Sequence, residues 1–452
     1  MTATYDPTDP AYFDPTALRE EVDRVFDLCH GCRLCFNLCP SFPSMFSFID
    51  EHDGEVGALS DAERDQVVDE CYQCKLCYVK CPYVPPHEWE LDFPRLMSRV
   101  HAVRQQQGTG LKERLTDQFL ARTDALGRAS VAAAPAVNWA TGTPGSWTRR
   151  VMEKTVGLAA ERLLPPYARQ RFTTWFKRGR RPPAVPVGAR AVSVFPTCFV
   201  EYMEPDVGRA IVEVFEHNGV ACTLPEGTKC CGAPWLHSGH VEEFTKAARR
   251  NVAALAAEVK AGRDVVVAQP TCAYVVKRDY PIYAAGADAD LVAAHTYDPA
   301  EYLMRRHRDA EDDFALHEEF PGRDDGAVPD SVTYHVACHL QAQNAGLRSR
   351  DLLKVAGVKC TLVQRCSGID GTWGYRAENY DLARKVAAPL RREVEAAGND
   401  VVCGDCHLAN GSILQETGRE PVHPMQLMAT AYGLDGPGPG GSGSGDTDGG
   451  PR

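Results

Sequence analysis

The segment C-H-G-C-R-L-C-F-N-L-C-P at residues 29–40 is followed by C-Y-Q-C-K-L-C-Y-V-K-C-P at residues 71–82. Both have the form C-x2-C-x2-C-x3-C-P, which is typical of ferredoxins that hold two [4Fe-4S] clusters. In such proteins the fourth cysteine of each run binds the cluster of the other run. We therefore predict two clusters, the first held by Cys29, Cys32, Cys35 and Cys81 and the second by Cys71, Cys74, Cys77 and Cys39.

Four thiolates complete the coordination of a cubane cluster, so these two clusters are predicted to carry electrons without binding a substrate. Structural zinc is one alternative, but it favours separated cysteine pairs or mixed Cys/His sets. A disulfide framework is another alternative, and it is typical of oxidising compartments. The repeated ferredoxin pattern favours iron over both.

The length and composition indicate a folded protein of several domains. The 452 residues exceed what one hydrophobic core usually organises. A formal net charge of -12 argues against nucleic-acid binding. Residues 1–14 lack the pattern of a secretory leader, and no uninterrupted apolar run reaches the length of about 18 residues that a membrane span needs. We expect a cytoplasmic protein, with peripheral attachment to the inner face of the membrane as an open alternative.

From residue 188 onward the chain repeats its own pattern. V-S-V-F-P-T-C, ending at Cys198, corresponds to V-T-Y-H-V-A-C, ending at Cys338, and C-C-G at 230–232 corresponds to C-S-G at 366–368. Each copy alternates strands, cysteine loops and helices, which predicts an α/β unit with a largely parallel sheet. Ligands of such folds bind beyond the carboxyl ends of the strands. We predict one metal site per copy: Cys198, Cys230, Cys231 and Cys272 in the first, and Cys338, Cys366, Cys403 and Cys406 in the second.

The fold predicted for the whole chain is an α+β multidomain arrangement. A helical, ferredoxin-like module with two clusters is followed by a helical connector and then by two tandem α/β cysteine-rich domains related by internal duplication. The predicted segments are 1–105 for the module, 106–187 for the connector, 188–304 for the first cysteine-rich domain, 305–330 for a charged linker, 331–432 for the second cysteine-rich domain and 433–452 for a disordered Gly/Ser-rich tail.

The end of the connector, residues 169–181, combines basic residues with Phe172, Trp175 and Phe176. Such a stretch could bind an anionic membrane surface or an acidic partner. The alternative is a solvated helix whose aromatic side chains pack against the body of the protein.

Together these motifs resemble the cysteine-rich CCG-domain family, which includes the B subunit of heterodisulfide reductase, glycolate oxidase iron-sulfur subunits and the iron-sulfur C subunit of anaerobic glycerol-3-phosphate dehydrogenase. The last of these is similar in layout over about residues 25–430. Its connector is similar to F-L-A-R-T-D at residues 119–124. The resemblance implies a flavoprotein dehydrogenase as partner and a quinone or another compound as electron acceptor.

In this family a full CCG motif supplies five cysteines to a noncubane [4Fe-4S] cluster that cleaves a disulfide, and both copies here depart from that pattern. Gln269 stands where a cysteine of the family motif is expected in the first copy, and Ser367 stands at such a position in the second. A cubane held by four thiolates, ligation through the Ser367 oxygen, an iron with an open position and structural zinc all remain open for these sites.

Several other residues are candidates for a role at these sites. His335, His339 and His407 lie beside cysteines of the second copy, and we expect them to pack around the site rather than to bind metal. Cys222 and Cys360 occupy equivalent strand positions and are predicted to be small buried residues. A dinucleotide-binding G-x-G-x-x-G motif after a strand is absent from the sequence, so no flavin or NAD is expected in this chain.

The resulting hypothesis is an iron-sulfur oxidoreductase subunit that transfers electrons. It would take electrons from the partner flavoprotein through the two cubanes to one or two further clusters in the CCG domains, and on to a quinone or other acceptor. The alternative is a catalytic heterodisulfide or thiol reductase that acts at an open iron of a CCG-domain cluster. The catalytic residues of that alternative are not identified by the sequence.

Overall fold

The computed structural model of the chain describes residues 5–178, 190–308, 314–369 and 371–434. The predicted tail lies outside these residues from position 435 onward, as do residues 179–187 of the connector and 309–313 of the charged linker. In the described part of the chain, no helix is both long and apolar enough to cross a membrane.

The first part of the chain folds into short helices around the two ferredoxin runs. Its first helix begins as the sequence predicts, because the Asp14 carboxylate accepts a hydrogen bond from the Ala17 amide over 2.7 Å and Pro15 occupies the first helical position. Phe26 and Met97 are buried between the helices, in the core that the cysteines of both runs also contact. The helices are α1 (Pro15–Cys32), α2 (Ser41–Glu51), α3 (Asp61–Asp69), α4 (Leu76–Lys80) and α5 (Phe93–Gln107).

The connector is a series of short helices with two buried arginines, one bonded within the connector and one bonded to the second cysteine-rich domain. Arg149 donates to the carbonyl of Ala159 over 2.7 Å, and Arg162 donates to the carbonyl of Gly374 over 2.9 Å. These bonds satisfy guanidinium groups that would otherwise lose hydration on burial. The helices are α6 (Leu111–Ala121), α7 (Thr123–Ala132), α8 (Ala134–Thr141), α9 (Trp147–Val156) and α10 (Phe172–Arg178).

Helix α10 contains the described part of the basic, aromatic stretch. Phe172 is buried in the core, Trp175 and Phe176 pack against the same core, and the Arg209 guanidinium lies 5.4 Å from the Trp175 ring centroid. Phe172 is therefore enclosed, and the structure of the described part agrees with packing of the aromatic side chains against the body of the protein.

The first cysteine-rich domain is built on a parallel sheet with strand order β2-β1-β3-β4. Its strands are β1 (Ala191–Phe195), β2 (Ala221–Thr223), β3 (Asp264–Val267) and β4 (Thr296–Tyr297). Its helices are α11 (Cys198–Tyr202), α12 (Pro205–His217), α13 (Ala233–His237), α14 (Val241–Lys260), α15 (Pro270–Tyr274), α16 (Tyr280–Tyr283), α17 (Ala287–Ala294) and α18 (Pro299–Arg308).

The second cysteine-rich domain has a parallel sheet with strand order β6-β5-β7. Its strands are β5 (Ser331–His335), β6 (Lys359–Val363) and β7 (Val401–Gly404). Its helices are α19 (Pro321–Asp324), α20 (Cys338–Ala342), α21 (Arg348–Val355), α22 (Tyr380–Ala397), α23 (His407–Thr417) and α24 (Pro424–Ala431). Ile211 of α12 and Met428 of α24 lie in one buried core that both domains share. The predicted α+β multidomain fold is confirmed.

The two sheets can be superposed residue by residue through their register. Val194 pairs with Val266 in the first sheet, and Tyr334 pairs with Cys403 in the second. Val194 and Tyr334 each lie four positions before the first cysteine of their copy. Cys403 therefore corresponds to Val266, and three positions later Cys406 corresponds to Gln269.

Candidate metal centres

The first ferredoxin group gathers around the end of α1. Cys29 and Cys32 occupy its last turn, and Arg33, with φ of 53°, turns the chain in the left-handed region toward Cys35. Burial raises the pKa of the Cys29 thiol, and the nearby charges of Cys35, Cys81 and Cys32 raise it further. The structure thus brings Cys81 of the second run to three cysteines of the first.

The second ferredoxin group has the reciprocal composition. Burial raises the pKa of the Cys77 thiol, with further contributions from Cys74, Cys39 and Cys71. Cys39 of the first run is therefore placed with three cysteines of the second. The charge of Cys35, in the first group, also raises the pKa of Cys77, so the two groups are neighbours. Thiols buried together in this way must lose their protons when iron binds, because the ligand in a cluster is the thiolate.

The third group lies at the carboxyl ends of the first parallel sheet, where the sequence predicts it. Cys198 begins α11, Cys230 and Cys231 precede α13, and Cys272 lies in α15. Hydrogen bonds from the thiols of Cys198 and Cys231 hold the pKa of Cys230 well below its usual range. Cys231 in turn interacts with Cys272, so the four sulfurs form a continuous group.

The loop that carries Cys230 and Cys231 is fixed by side chains from distant segments. Asp124 accepts from the Cys230 amide over 2.8 Å, Asn251 donates to the Cys230 carbonyl over 3.1 Å, and Tyr280 donates to the Cys231 carbonyl over 2.9 Å. Asp124 belongs to the F-L-A-R-T-D segment that the family resemblance singled out. Asn251 and Tyr280 were missed, and no local pattern in the sequence distinguishes them.

The fourth group is formed by three cysteines of the second copy. Cys338, Cys366 and Cys406 line one small cavity of about 20 Å³, together with Ser367. The amide of Gln269, from the first copy, donates to the Cys406 sulfur over 3.4 Å, and the Gly368 amide donates to the Cys366 sulfur over 3.3 Å. Hydrogen bonds to sulfur of this kind tune the potential of a cluster.

Cys403, which the sequence assigns to this group, is placed elsewhere. It is fully buried in strand β7 within the core that both domains share, and the charged or titratable neighbours that affect it are Asp405 and Cys360. The physical reason is the sheet register, which makes Cys403 the counterpart of the core residue Val266. Cys406, not Cys403, is the counterpart of Gln269, so the second copy contributes three cysteines to its group.

The three flanking histidines have other partners in the described structure. His335 shares a hydrogen bond of 2.9 Å with the carbonyl of Arg365, and His407 pairs with Glu204 over 2.5 Å while stacking on Phe199. His339 lies 3.4 Å from the Thr271 hydroxyl and 3.6 Å from the Cys338 sulfur. Cys222 and Cys360 lie at equivalent positions in strands β2 and β6, where Cys222 is buried, as expected, and Cys360 is only half-buried.

The spacing of the donors bears on the identity of the metal. Within the described ranges, no three His, Cys, Asp or Glu side chains converge closely enough to hold a single ion. A mononuclear zinc site needs four donors about 2.3 Å from one point, whereas a cluster of several irons separates its thiolates more widely. The described cysteine groups do not show the close four-donor arrangement of a mononuclear zinc site.

The four groups follow one another through the molecule. Cys35 and Cys77 connect the first and second groups. Tyr72, beside the second group, also contacts Cys366 of the fourth, and Gln269 connects the fourth group to the loop of Cys272. The third group is the floor of a cavity of about 310 Å³ whose walls come largely from the connector.

Comparison with known proteins identifies the domains of the chain. A cysteine-rich CCG domain matches residues 192–277 and 332–409, and the Fer4-like domain of citrate utilization protein B matches residues 22–108. Lactate utilization protein A of Bacillus licheniformis is 30% identical over 232 residues, which cover 48% of this chain and 87% of that protein. The chain belongs to the cysteine-rich CCG-domain family. It is an iron-sulfur protein of that family.

Two further relatives are similar in sequence to this chain over longer segments. The C subunit of anaerobic glycerol-3-phosphate dehydrogenase from Escherichia coli K12 is 29% identical over 321 residues, which cover 70% of this chain and 77% of that protein. The B subunit of fumarate reductase (CoM/CoB) from Methanothermobacter marburgensis is 27% identical over 256 residues, which cover 54% of this chain and 47% of that protein. The resemblance predicted from the motifs is confirmed, and these relatives support an iron-sulfur electron-transfer role associated with an oxidoreductase.

Proposed function

We propose that this chain is the electron-transfer subunit of an oxidoreductase complex, reduced by a partner flavoprotein dehydrogenase. When bound, iron-sulfur clusters supply one-electron storage at each cysteine group. Electrons would pass from the first ferredoxin group to the second, then to the fourth group at Cys366 and Cys406, and finally to the third group at Cys272. A quinone or another acceptor would be reduced there.

The observation that carries this proposal is the sequence of contacts between the groups. Tyr72 is buried next to both the second group and Cys366, and Gln269 contacts Cys406 from the chain that leads to Cys272. We assign the clusters to the ligand sets that the structure brings together. The proposed sets are the two ferredoxin sets and the first CCG set with the residues given from the sequence, and Cys338, Cys366 and Cys406 for the second CCG set.

The first ferredoxin group is the one suited to receive electrons. Cys32 is exposed, and the large apolar side chains of Leu34 and Phe36 in the same run and of Val79 in the second run are 58%, 49% and 43% exposed. Apolar side chains around an accessible redox centre are suited to docking a partner protein. We assign this surface to the flavoprotein.

The alternative function is cleavage of a disulfide or thiol at an open iron. The observation that favours it is that the fourth group has only three cysteines among the described residues. The contacts that join the four cysteine groups in one series favour the electron-transfer role over this alternative.

Iron analysis of the full chain after anaerobic reconstitution tests the ligand sets. We expect Cys74→Ala and Cys272→Ala each to lose about four irons per chain, because each removes a ligand of one cluster. Cys222→Ala is the matched control, since Cys222 is a buried cysteine outside the groups, and it should keep the full iron content. Equal iron in all three variants would contradict the proposal.

A further inference from the structure

We propose that a basic cleft between α7 and α14 binds a small organic anion with two or more negative charges, carried by phosphate or carboxylate groups. The start of α7, the loop that carries Cys230 and the first half of α14 form the cleft. Its volume of about 400 Å³ lies within the range of roughly 300–1,000 Å³ typical of small-molecule sites. Cys230 is the one cysteine among the described residues that line it, so the cleft lies beside the third cysteine group and is not the metal site itself.

The lining of the cleft is basic, although the formal net charge of the whole chain is -12. Two carboxylates, those of Asp124 and Glu243, line it together with five cationic side chains, which are Arg122, Arg128, Lys229, Lys246 and Arg250. Charges of one sign that line a concave site attract ligands of the opposite sign. The cleft is therefore suited to an anion.

Three of the cations are available to a ligand. Within the described residues, the side chains of Arg122, Lys229 and Arg250 make no ion pair. Arg122 and Arg250 are also exposed, and Lys229 is half-buried. Lys246 differs from them, because its ammonium pairs with Glu242 over 2.6 Å. A ligand in the cleft can thus bind these three side chains without first breaking an ion pair.

The carboxylate of Asp124 does not cancel this charge. It accepts hydrogen bonds from the Cys230 amide over 2.8 Å and from the Tyr202 hydroxyl over 3.0 Å, and burial raises its pKa. Its bonding capacity is directed at the loop and at α11. Glu243 is the other carboxylate of the described lining, so the cleft keeps an excess of positive charge.

The walls of the cleft are held in place by contacts between the loop and α14. Gly232, with φ of 90°, lets the loop approach the helix closely, since a Cβ at this position would lie 2.8 Å from a ring carbon of Phe244. Asn251 accepts from the Lys229 amide over 2.8 Å and donates to the Cys230 carbonyl over 3.1 Å. A site whose walls are fixed before binding loses less conformational freedom when a ligand binds.

The positions of the arginines indicate more than one charge on the ligand. Arg122 immediately precedes α7, whereas Arg250 lies on α14, so the two guanidinium groups belong to different walls. Each guanidinium can bind a phosphate or a carboxylate through two parallel hydrogen bonds. Trp235, which is half-buried in the lining, offers an aromatic surface to the organic part of such a ligand. The enclosed shape favours a small molecule over an acidic protein surface.

A ligand in the cleft would also act on the third cysteine group, and this part of the inference rests on the proposed function. Reduction adds negative charge to a cluster. An anion beside Cys230 repels that charge, so reduction becomes less favourable. The bound anion should therefore lower the reduction potential of the third group.

Binding can be measured independently of electron transfer, by equilibrium dialysis of the oxidised, reconstituted full-length chain against phenyl phosphate, which is a dianion at about pH 8. We expect Arg122→Gln and Arg250→Gln each to weaken binding about 10-fold, because each removes a charge-assisted hydrogen bond. Arg249→Gln is the matched control and should leave binding unchanged. It makes the same change at the neighbouring exposed position of α14, which is not among the described residues that line the cleft.

Two further ligands test the chemical class. Phenyl sulfate has the same ring but a single charge, and it should bind at least about 10-fold more weakly than phenyl phosphate. Displacement of phenyl phosphate by succinate indicates that the natural ligand is a carboxylate, whereas failure of succinate to compete indicates a phosphate ester.

Equal binding of phenyl phosphate to the unmodified chain and all three variants would overturn the inference. Absence of binding would overturn it too, and would assign the basic side chains to an acidic partner protein instead. Iron content identical to that of the unmodified chain shows that each variant has folded.

The proposed function fails separately from the anion site. If Cys272→Ala keeps the iron content of the unmodified chain, the third group holds no cluster, while binding of phenyl phosphate still supports the cleft. If the cluster is present, EPR-monitored redox titration with saturating phenyl phosphate should show a lower potential for the third group. An unchanged potential would refute the action of the ligand on that group.

Discussion

The side-chain amide of Gln269 donates a hydrogen bond to the Cys406 sulfur over 3.4 Å, across the boundary between the two cysteine-rich domains. The sheet register makes these two residues structural counterparts, so each copy places the same position against the other. In the sequence Gln269 looks like a lost ligand. In the structure it is a hydrogen-bond donor to a cysteine of the neighbouring copy, one that we propose as a cluster ligand.

Removing this donor should change the potential of the second CCG site. A hydrogen bond to a thiolate stabilises the reduced, more negative cluster, so Gln269→Leu should lower its reduction potential. EPR-monitored redox titration would measure the shift. Gln343→Leu is the matched control, because Gln343 is also buried at this interface but donates to the carbonyl of Pro270 over 3.1 Å instead of to sulfur. Equal shifts in both variants would show that interface packing, not the bond to sulfur, is responsible.

Substitution of the two neighbouring cysteines of the second copy should have different effects. Cys406→Ala is expected to lose the iron of the fourth group, whereas Cys403→Ala should keep it, because Cys403 is buried in the sheet core. Loss of the Cys403 sulfur should cost roughly 1 kcal/mol of unfolding free energy, as for other small buried groups. Iron analysis and urea denaturation separate these outcomes. Iron loss in Cys403→Ala at unchanged stability would restore Cys403 as a ligand.

The cysteines of the two copies show which parts of the candidate site could be predicted from the sequence. The sequence could predict that four cysteines of the first copy lie together, because strands and cysteine loops alternate in a regular pattern; they are Cys198, Cys230, Cys231 and Cys272. The position of Cys403 in the sheet core could not be predicted, because C-x-x-C spacing does not show that its first cysteine lies inside a strand. That fact depends on backbone pairing between strands nearly 70 residues apart.

Contacts between residues far apart in the sequence could not be predicted either. Asn251 lies 21 residues from Cys230, and Tyr280 lies 49 residues from Cys231. Their roles depend on how α14 and α16 pack, which no local pattern encodes. The parallel sheets and the duplication could be predicted, because hydrophobic strands and repeated motifs are properties of short segments.

Asp124 is expected to stabilise the third cysteine group from the connector. Its carboxylate accepts from the Cys230 amide over 2.8 Å and from the Tyr202 hydroxyl over 3.0 Å. Asp124→Leu leaves both donors without this partner, at a cost of about 1–3 kcal/mol. Iron should be released faster to a chelator than from the unmodified chain. Asp61→Leu, at an exposed position on α3, is the control, and equal release rates in the two variants would refute this role.

Acid should destabilise the chain through a buried histidine that caps α24. The His423 Nδ1 accepts from the Met425 amide over 3.1 Å, and burial lowers the pKa of His423 to about 3. Between pH 6.5 and 3 the unfolded chain therefore binds a proton that the folded chain does not. The stabilisation is present above pH 6.5 and is lost as the pH falls.

For this one residue the loss between pH 7 and pH 5 is about 2 kcal/mol of unfolding free energy. His423→Asn keeps a capping side chain that does not titrate. Urea denaturation at the two pH values should show a smaller decrease for the variant than for the unmodified chain. Identical pH dependence in both proteins would show that His423 is not the titrating group.

Anaerobic rapid mixing tests the order of electron transfer most directly. The chain is first fully reduced and is then mixed with an excess of duroquinone over its clusters. Reoxidation of the ferredoxin groups is followed by EPR after freeze-quenching. We predict rapid reoxidation in the unmodified chain and in Cys222→Ala, and ferredoxin groups that stay reduced in Cys272→Ala. Reoxidation of Cys272→Ala at the rate of the unmodified chain would contradict the third cysteine group as the terminal site.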